Sequence, residues 1–236
     1  MFAYALAAAA ANVIGAAAVT RRAAAGNRMI EGFVAFSAGF MLAVVLTEML
    51  PVAFGRSGGV APVLVFVGYM AVHLTQHTVT PHFHFGEETH PVRRGAARSA
   101  LVGLLLHTFF DGVAIASAFL VTPELGVVVF LAVFLHKLPE GATISSLTLA
   151  AGGTRRAALL AAAALGLASL VGVALTDRVA FLVQHGLALA GGVTLYVAAS
   201  NLVPEFQGRR GWRTPLALLA GAAVFFITHI LLGGSW

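Results

Sequence analysis

The sequence has 236 residues and no cysteine. That excludes disulfides and thiolate metal ligands, and it leaves the redox compartment unread. Charge is scarce too: Asp, Glu, Lys and Arg make up 10% of the chain, against 59% hydrophobic residues and a mean hydropathy of +0.93. A water-soluble domain cannot hide that much apolar surface. With nothing left over for a soluble domain, residues 1–236 read as one all-α, polytopic membrane domain. Acids are fewer than bases, 9 against 14, and the isoelectric point is near 10.7. In so apolar a chain, basic loops held on one membrane side explain that excess. Membrane lipid, and not nucleic acid, is the expected surrounding partner.

Breaks between the apolar runs delimit eight spans, at about 3–20, 30–53, 60–78, 100–121, 124–151, 156–176, 179–203 and 212–232, each near the ~20 residues that a crossing needs. No Lys or Arg precedes the first span, and Arg21, Arg22 and Arg28 follow it. This is the charge order of a retained span with its N-terminus outside, not of a signal peptide. The alternate loops then carry Arg21, Arg22, Arg28, Arg93, Arg94, Arg98, Arg155, Arg156, Arg209, Arg210 and Arg213, and the opposite loops only Arg56 and Arg178. That bias predicts eight crossings of the cell's inner (plasma) membrane with both termini outside. The His-rich linker, 77–98, then faces the cytoplasm.

Two of the spans carry one pattern. His107, Asp111, Gly112, Ile115 and Ser117 repeat as His136, Glu140, Gly141, Ile144 and Ser146, spaced His-x-x-x-acid-Gly-x-x-Ile-x-Ser. Residues i and i+4 share a helix face, so each span offers an imidazole and a carboxylate pointing one way. Two such helices face to face present four N and O ligands to one point, a set suited to a divalent first-row metal such as zinc. Asp111, Lys137 and Glu140 lie deep within spans, where a charge costs at least ~2.5–3.5 kcal/mol. Such groups persist when they pair, bind an ion or line a wet cavity. Pro139 cannot donate to the Leu135 carbonyl and is expected to kink its span beside His136. Ser117, Ser145 and Ser146 add hydroxyls that either line a path or bond back to their own helix.

A second repeat links span 2 to span 7. Gly39, Leu42, Val44, Thr47-Glu48 and Pro51 align with Gly192, Leu195, Val197, Ser200-Asn201 and Pro204. These spans cross in opposite directions, as do spans 4 and 5. The expected organisation is an inverted repeat, spans 1–3 mirrored by 6–8 around a central pair 4–5, with the site at the repeat interface. Glu48 and Asn201 hold matching positions and could line the path. His73 and His77, with His82, His84 and His90 in the linker, form a tract that could receive metal at the cytoplasmic side. His185 and His229 fall near the outer ends of spans 7 and 8.

The paired motifs, with Pro139, resemble the ZIP family of divalent metal transporters, and the resemblance runs the length of the chain. It implies eight spans, both termini outside and metal import toward the cytoplasm. It also implies an elevator-like shift of spans 1, 4, 5 and 6 against spans 2, 3, 7 and 8. Many family members hold two metals side by side, using the residue after each motif His and an acid on span 6. Here those residues are Thr108 and Lys137, and span 6 has no acid or His, with Ser169 its only mid-span polar residue. A protonated ammonium cannot ligate a metal. The expectation is a single metal on His107, Asp111, His136 and Glu140, with Lys137 replacing the second ion beside a motif carboxylate. Met41 matches a position where some members supply a thioether. The cargo expected is Zn2+, with Fe2+, Mn2+ and Cd2+ also suited to such ligands, and a homodimer is compatible with the sequence. Two other readings use the same residues: an intramembrane zinc hydrolase with an open water position, and a cytochrome with His107 and His136 as haem ligands.

Overall fold

The computed structural model describes residues 1–21, 27–79, 94–204 and 211–233. All regular structure among them is helical: α1 (Phe2–Arg21), α2 (Asn27–Val44), α3 (Leu50–Ser57), α4 (Ala61–Leu74), α5 (Arg94–Phe119), α6 (Pro123–Ala150), α7 (Arg155–Thr176), α8 (Ala180–Tyr196) and α9 (Arg213–Leu231). Seven helical stretches are long and apolar enough to cross a membrane. One of them, Glu31–Thr78, has 48 residues, or ~72 Å of helix against a hydrocarbon core of ~30 Å. It turns back on itself at Gly58–Val60, where Gly58 takes φ +54, a conformation that glycine adopts without steric cost. The neighbours along α8 show the reversal. Leu50 lies against Gly191, then Arg56 donates to the Val183 carbonyl and Ser57 lies beside Gln184 and His185, and Tyr69, past the turn, again meets the far end at the Tyr196 ring and Ser200.

Three π-helical turns interrupt the helices: Val45–Met49 between α2 and α3, Thr75–Val79 after α4, and Val197–Leu202 after α8. Each ends two residues before a proline, Pro51, Pro81 or Pro204. A proline lacks the N–H for the i−4 carbonyl and its ring crowds that carbonyl; the turn before it widens. Pro139 acts differently. α6 stays helical through it, and the Leu135 carbonyl it leaves free lies 3.2 Å from the Ser37 hydroxyl of α2, which shares its proton with the nearer Phe33 carbonyl at 2.8 Å. Helix extends to Val79 and resumes at Arg94, so the linker expected over 77–98 is bounded more tightly. Its His82, His84 and His90 lie outside the described residues.

The helices assort into two bundles. α1, α5, α6 and α7 pack chiefly on one another, as do α2–α3, α4, α8 and α9, and the bundles meet mainly through α5 on α8 and α2 on α6. Glycines set the closest pairs. A Cβ on Gly141 would overlap the Asn12 carbonyl oxygen, and one on Gly15 the Leu138 oxygen; in the mirrored pair, Gly112 meets Ser169 and Gly172 meets Phe109. The other bundle repeats the device, Gly39 on Leu218 and Gly221 on Phe36, mirrored by Gly192 on Val65 and Gly68 on Leu189. These glycine contacts of α1 on α6 thus have twins in α7 on α5, and those of α2 on α9 have twins in α8 on α4. The repeat seen in two sequence pairs extends to these four helix crossings. Small residues at such crossings let backbones approach where no hydrophobic force between helices operates.

Candidate metal centre

The motif residues come together where α5 and α6, the central pair, face each other. His107, Asp111, His136 and Glu140 are all buried, each at 3% exposure or less, and one ligand atom from each lies within 4.8 Å of all the others. His107 Nε2 and His136 Nε2 stand 3.3 and 3.4 Å from Asp111 Oδ2, and 3.7 and 3.8 Å from Glu140 Oε2. The helix supplies these pairs directly, since each His and acid are one turn apart on one face. His136 Nδ1 donates to the Ala132 carbonyl at 2.9 Å, which orients Nε2 toward the centre as a ligand. Asp111 Oδ1 and His107 Nδ1 are buried without a hydrogen-bond partner. Two buried imidazoles and two buried carboxylates converging on one point are the donor set that a divalent metal satisfies.

Lys137 occupies the same oxygens. Its ammonium, fully buried, lies 2.5 Å from Asp111 Oδ2 and 2.7 Å from Glu140 Oε2. It pairs with both motif carboxylates, where the sequence suggested one. The electrostatics follow from counting. Two carboxylates and one ammonium leave the centre at about −1, and a divalent ion takes it to about +1. At about 4 Å and an effective dielectric near 20, an ammonium and a divalent ion repel by about 8 kcal/mol. A metal held by these oxygens would therefore compete with the ammonium. Thr108, the residue after the first motif His, reaches Glu140 Oε1 at 3.2 Å and the Leu104 carbonyl. Ser169 of α7 donates to the Thr108 carbonyl at 3.0 Å.

The remaining candidates have neighbours of their own. Met41 is wholly buried in the main apolar core with Val113 and Ala114 of α5 and Val128 and Val129 of α6. Glu48 and Asn201 fall in mirrored π turns, and Glu48 Oε1 lies 2.9 Å from His229 Nδ1 across α9. Ser117 is buried with its hydroxyl unpartnered, against Gly186 of α8 at the bundle boundary. Ser145 sits 3.5 Å from the Ala158 carbonyl, while Ser146 bonds back to Ala142. His73 and His77 stack with ring centroids 4.1 Å apart, and His77 Nδ1 lies 2.8 Å from the His73 carbonyl oxygen. His185 lies 2.9 Å from Ser57. The sequence reading missed Ser37, Asn12 and the His229 pairing with Glu48. Only Ser37 had a signal, the carbonyl that Pro139 leaves free.

Comparison with known proteins places these residues in context. A family model described as ZIP Zinc transporter matches residues 89–229, the segment that holds α5, α6 and the site. The chain is 35% identical over 223 residues to the zinc transporter ZupT of Enterobacter sp. (strain 638), covering 87% of this chain and 86% of the relative. It is 30% identical over 194 residues to zinc transporter ZupT of Escherichia coli O7:K1 (strain IAI39 / ExPEC), covering 75% of each.

Proposed function

This chain belongs to the ZIP family of zinc transporters, and from that premise we propose that it carries zinc toward the cytoplasm, one ion at a time, on His107, Asp111, His136 and Glu140. Membership makes it a multi-pass membrane transporter of metal and not an enzyme, so the hydrolase reading is set aside. The observation that carries the proposal is the convergence of four buried ligand atoms from two mirrored helices. The single-ion stoichiometry rests on Lys137 and Thr108, which hold the positions flanking the motif histidines, and on α7, which supplies only Ser169 there. Fe2+, Mn2+ and Cd2+ suit the same donors.

In this reading the chain makes eight crossings with both termini outside, as the arginine bias requires. The bundle of α1, α5, α6 and α7 carries the metal past the other bundle. Ser117, Ser145, Glu48 and Asn201 line its route, and Met41 offers a thioether as the ion passes. His73 and His77, with His82, His84 and His90, receive the ion at the cytoplasmic end. The exposed apolar faces of α4, α7 and α9 meet lipid, and a homodimer would cover one of them.

The test is uptake of zinc by proteoliposomes holding the purified protein, with residues 80–93 replaced by a His-free linker. His107→Ala, His136→Ala and Glu140→Ala are each expected to lose most uptake while the protein remains inserted. Elemental analysis is expected to give one zinc per chain. Native uptake by a double variant of these ligands would misplace the site, and two ions per chain would overturn the single-ion reading.

A further inference from the structure

Asn12 is a buried polar group that the metal centre as described does not use. It lies in the middle of α1, fully buried, and neither its amide nitrogen nor its amide oxygen has a hydrogen-bond partner. A buried polar group left unsatisfied costs stability, and most such groups in native proteins find a partner. A state of the protein in which Asn12 is satisfied therefore needs to be identified.

Two observations bring Asn12 to the stretch of α6 that carries Lys137. Gly141, whose missing Cβ makes room for the Asn12 backbone, follows Glu140 and stands one turn from Lys137 on the same face of α6. The repeat supplies the second. Ser169, the mirror of Asn12, sits against Gly112, the mirror of Gly141, and donates to the backbone of Thr108, the mirror of Lys137. On one side of the pseudo-symmetry axis the flanking polar residue makes contact with the residue after the motif His. On the other side it is Asn12, facing the stretch that carries Lys137, with its amide unused.

Lys137 has a matching need. Its ammonium now rests on Asp111 Oδ2 and Glu140 Oε2, the oxygens that both imidazoles face. A zinc ion bound there takes both oxygens, and the ammonium, wholly enclosed in protein, cannot retreat to water. A buried ammonium without acceptors is strongly disfavoured. An amide oxygen is an acceptor, and lysine's four-carbon stem lets the ammonium swing without moving the helix. We infer that Asn12 is the second seat of the Lys137 ammonium: zinc displaces the ammonium onto Asn12 Oδ1, and release of zinc returns it to the carboxylates. Asn12 is then a positioning residue that sets zinc affinity through Lys137 and never touches the metal. The inference rests on the proposed zinc site and adds the movement by which that site is emptied and refilled.

The experiment is a double-mutant cycle on zinc affinity, measured by competition with a chromophoric chelator on the purified full-length protein. Binding lost in His107→Ala defines the site and removes the contribution of the linker histidines. Asn12→Leu, in the presence of Lys137, is expected to weaken zinc binding about 10- to 100-fold, the range for loss of a group that supports a ligand shell. In a Lys137→Met background the same change is expected to have less than about a 2-fold effect, within the scatter of uncoupled sites. Asn12→Asp, which offers the displaced ammonium a charge, is expected to strengthen zinc binding with Lys137 present and not with Lys137→Met. This arm stands even if the leucine variant folds poorly. Equal effects in both backgrounds, or no effect of either substitution, overturn the inference while leaving the zinc site intact. No zinc binding that depends on His107 in the unaltered protein overturns both.

Discussion

At the scale of the residue, the centre is governed by one lysine. Lys137 neutralises half of a carboxylate pair buried among the helices, and a buried pair of like charges without a cation is costly. In the proposed function, a metal that replaces it would gain two anionic ligands but would have to push away an ammonium. Lys137→Ala therefore acts on both states. The empty centre moves to about −2 and the loaded one to about 0, so binding is expected to tighten. Release becomes the slow step and turnover falls, even as the zinc concentration for half-maximal uptake drops. Uptake kinetics in proteoliposomes check this. Unchanged affinity and unchanged turnover would remove the lysine from the mechanism and leave the four ligands in place.

At the scale of the element, glycine decides which helices touch. Gly112 and Gly141 each follow a ligating acid, and each is where a neighbouring backbone comes closest, Ser169 in one case and Asn12 in the other. Close backbone packing therefore falls beside the candidate ligands, with α7 and α1 pressed against α5 and α6 there. Gly141→Leu forces a side chain into a backbone that cannot yield. Overpacking of a core commonly costs ~1–3 kcal/mol, and the upper end applies because the obstacle is main chain. Gly55→Leu, on α3 with nothing within 4 Å of its position, is the control. Thermal unfolding in detergent is expected to show a clear loss for Gly141→Leu and for its mirror Gly112→Leu, and little change for Gly55→Leu. Equal melting of all three would mean that these crossings contribute nothing to stability.

At the scale of the molecule, two four-helix bundles meet along a thin boundary. Ser37 reaches across it to the Leu135 carbonyl, and Ser117 abuts Gly186 on it. If the bundle of α1, α5, α6 and α7 slides to carry metal, a bond across that boundary stops it. The chain has no native cysteine, so a pair introduced at Ser117 and Gly186 can be oxidised without side reactions. A Cβ at Gly186 would stand 2.5 Å from Ser117 Oγ, close enough for the ~3.5–4.5 Å between Cβ atoms that a disulfide needs. Zinc uptake by Ser117→Cys/Gly186→Cys is expected to stop on oxidation and return on reduction. Full uptake by the oxidised protein would rule out sliding at this boundary.

The amino-acid order alone settled the membrane location, the paired motifs and the pairing of span 2 with span 7. Each depends on local quantities: the cost of putting charge in lipid, the i, i+4 geometry of a helix, and the spacing of Gly and Pro. The convergence of His107, Asp111, His136 and Glu140 was legible because each His and acid lie on one helix face. The facing of the other helices was not. In lipid, outward and inward positions are both apolar, so hydrophobic periodicity does not mark the inner face as it does in water. Only the tertiary structure paired α1 with α6 and α7 with α5; the break between the second and third spans was legible in the sequence, and the division of the chain into two bundles was implied by the family resemblance. Likewise, that Lys137 grips both carboxylates, that Ser37 takes the carbonyl freed by Pro139, and that Asn12 is sealed in without a partner depend on residues far apart in sequence. Those distances exist only once the helices have packed.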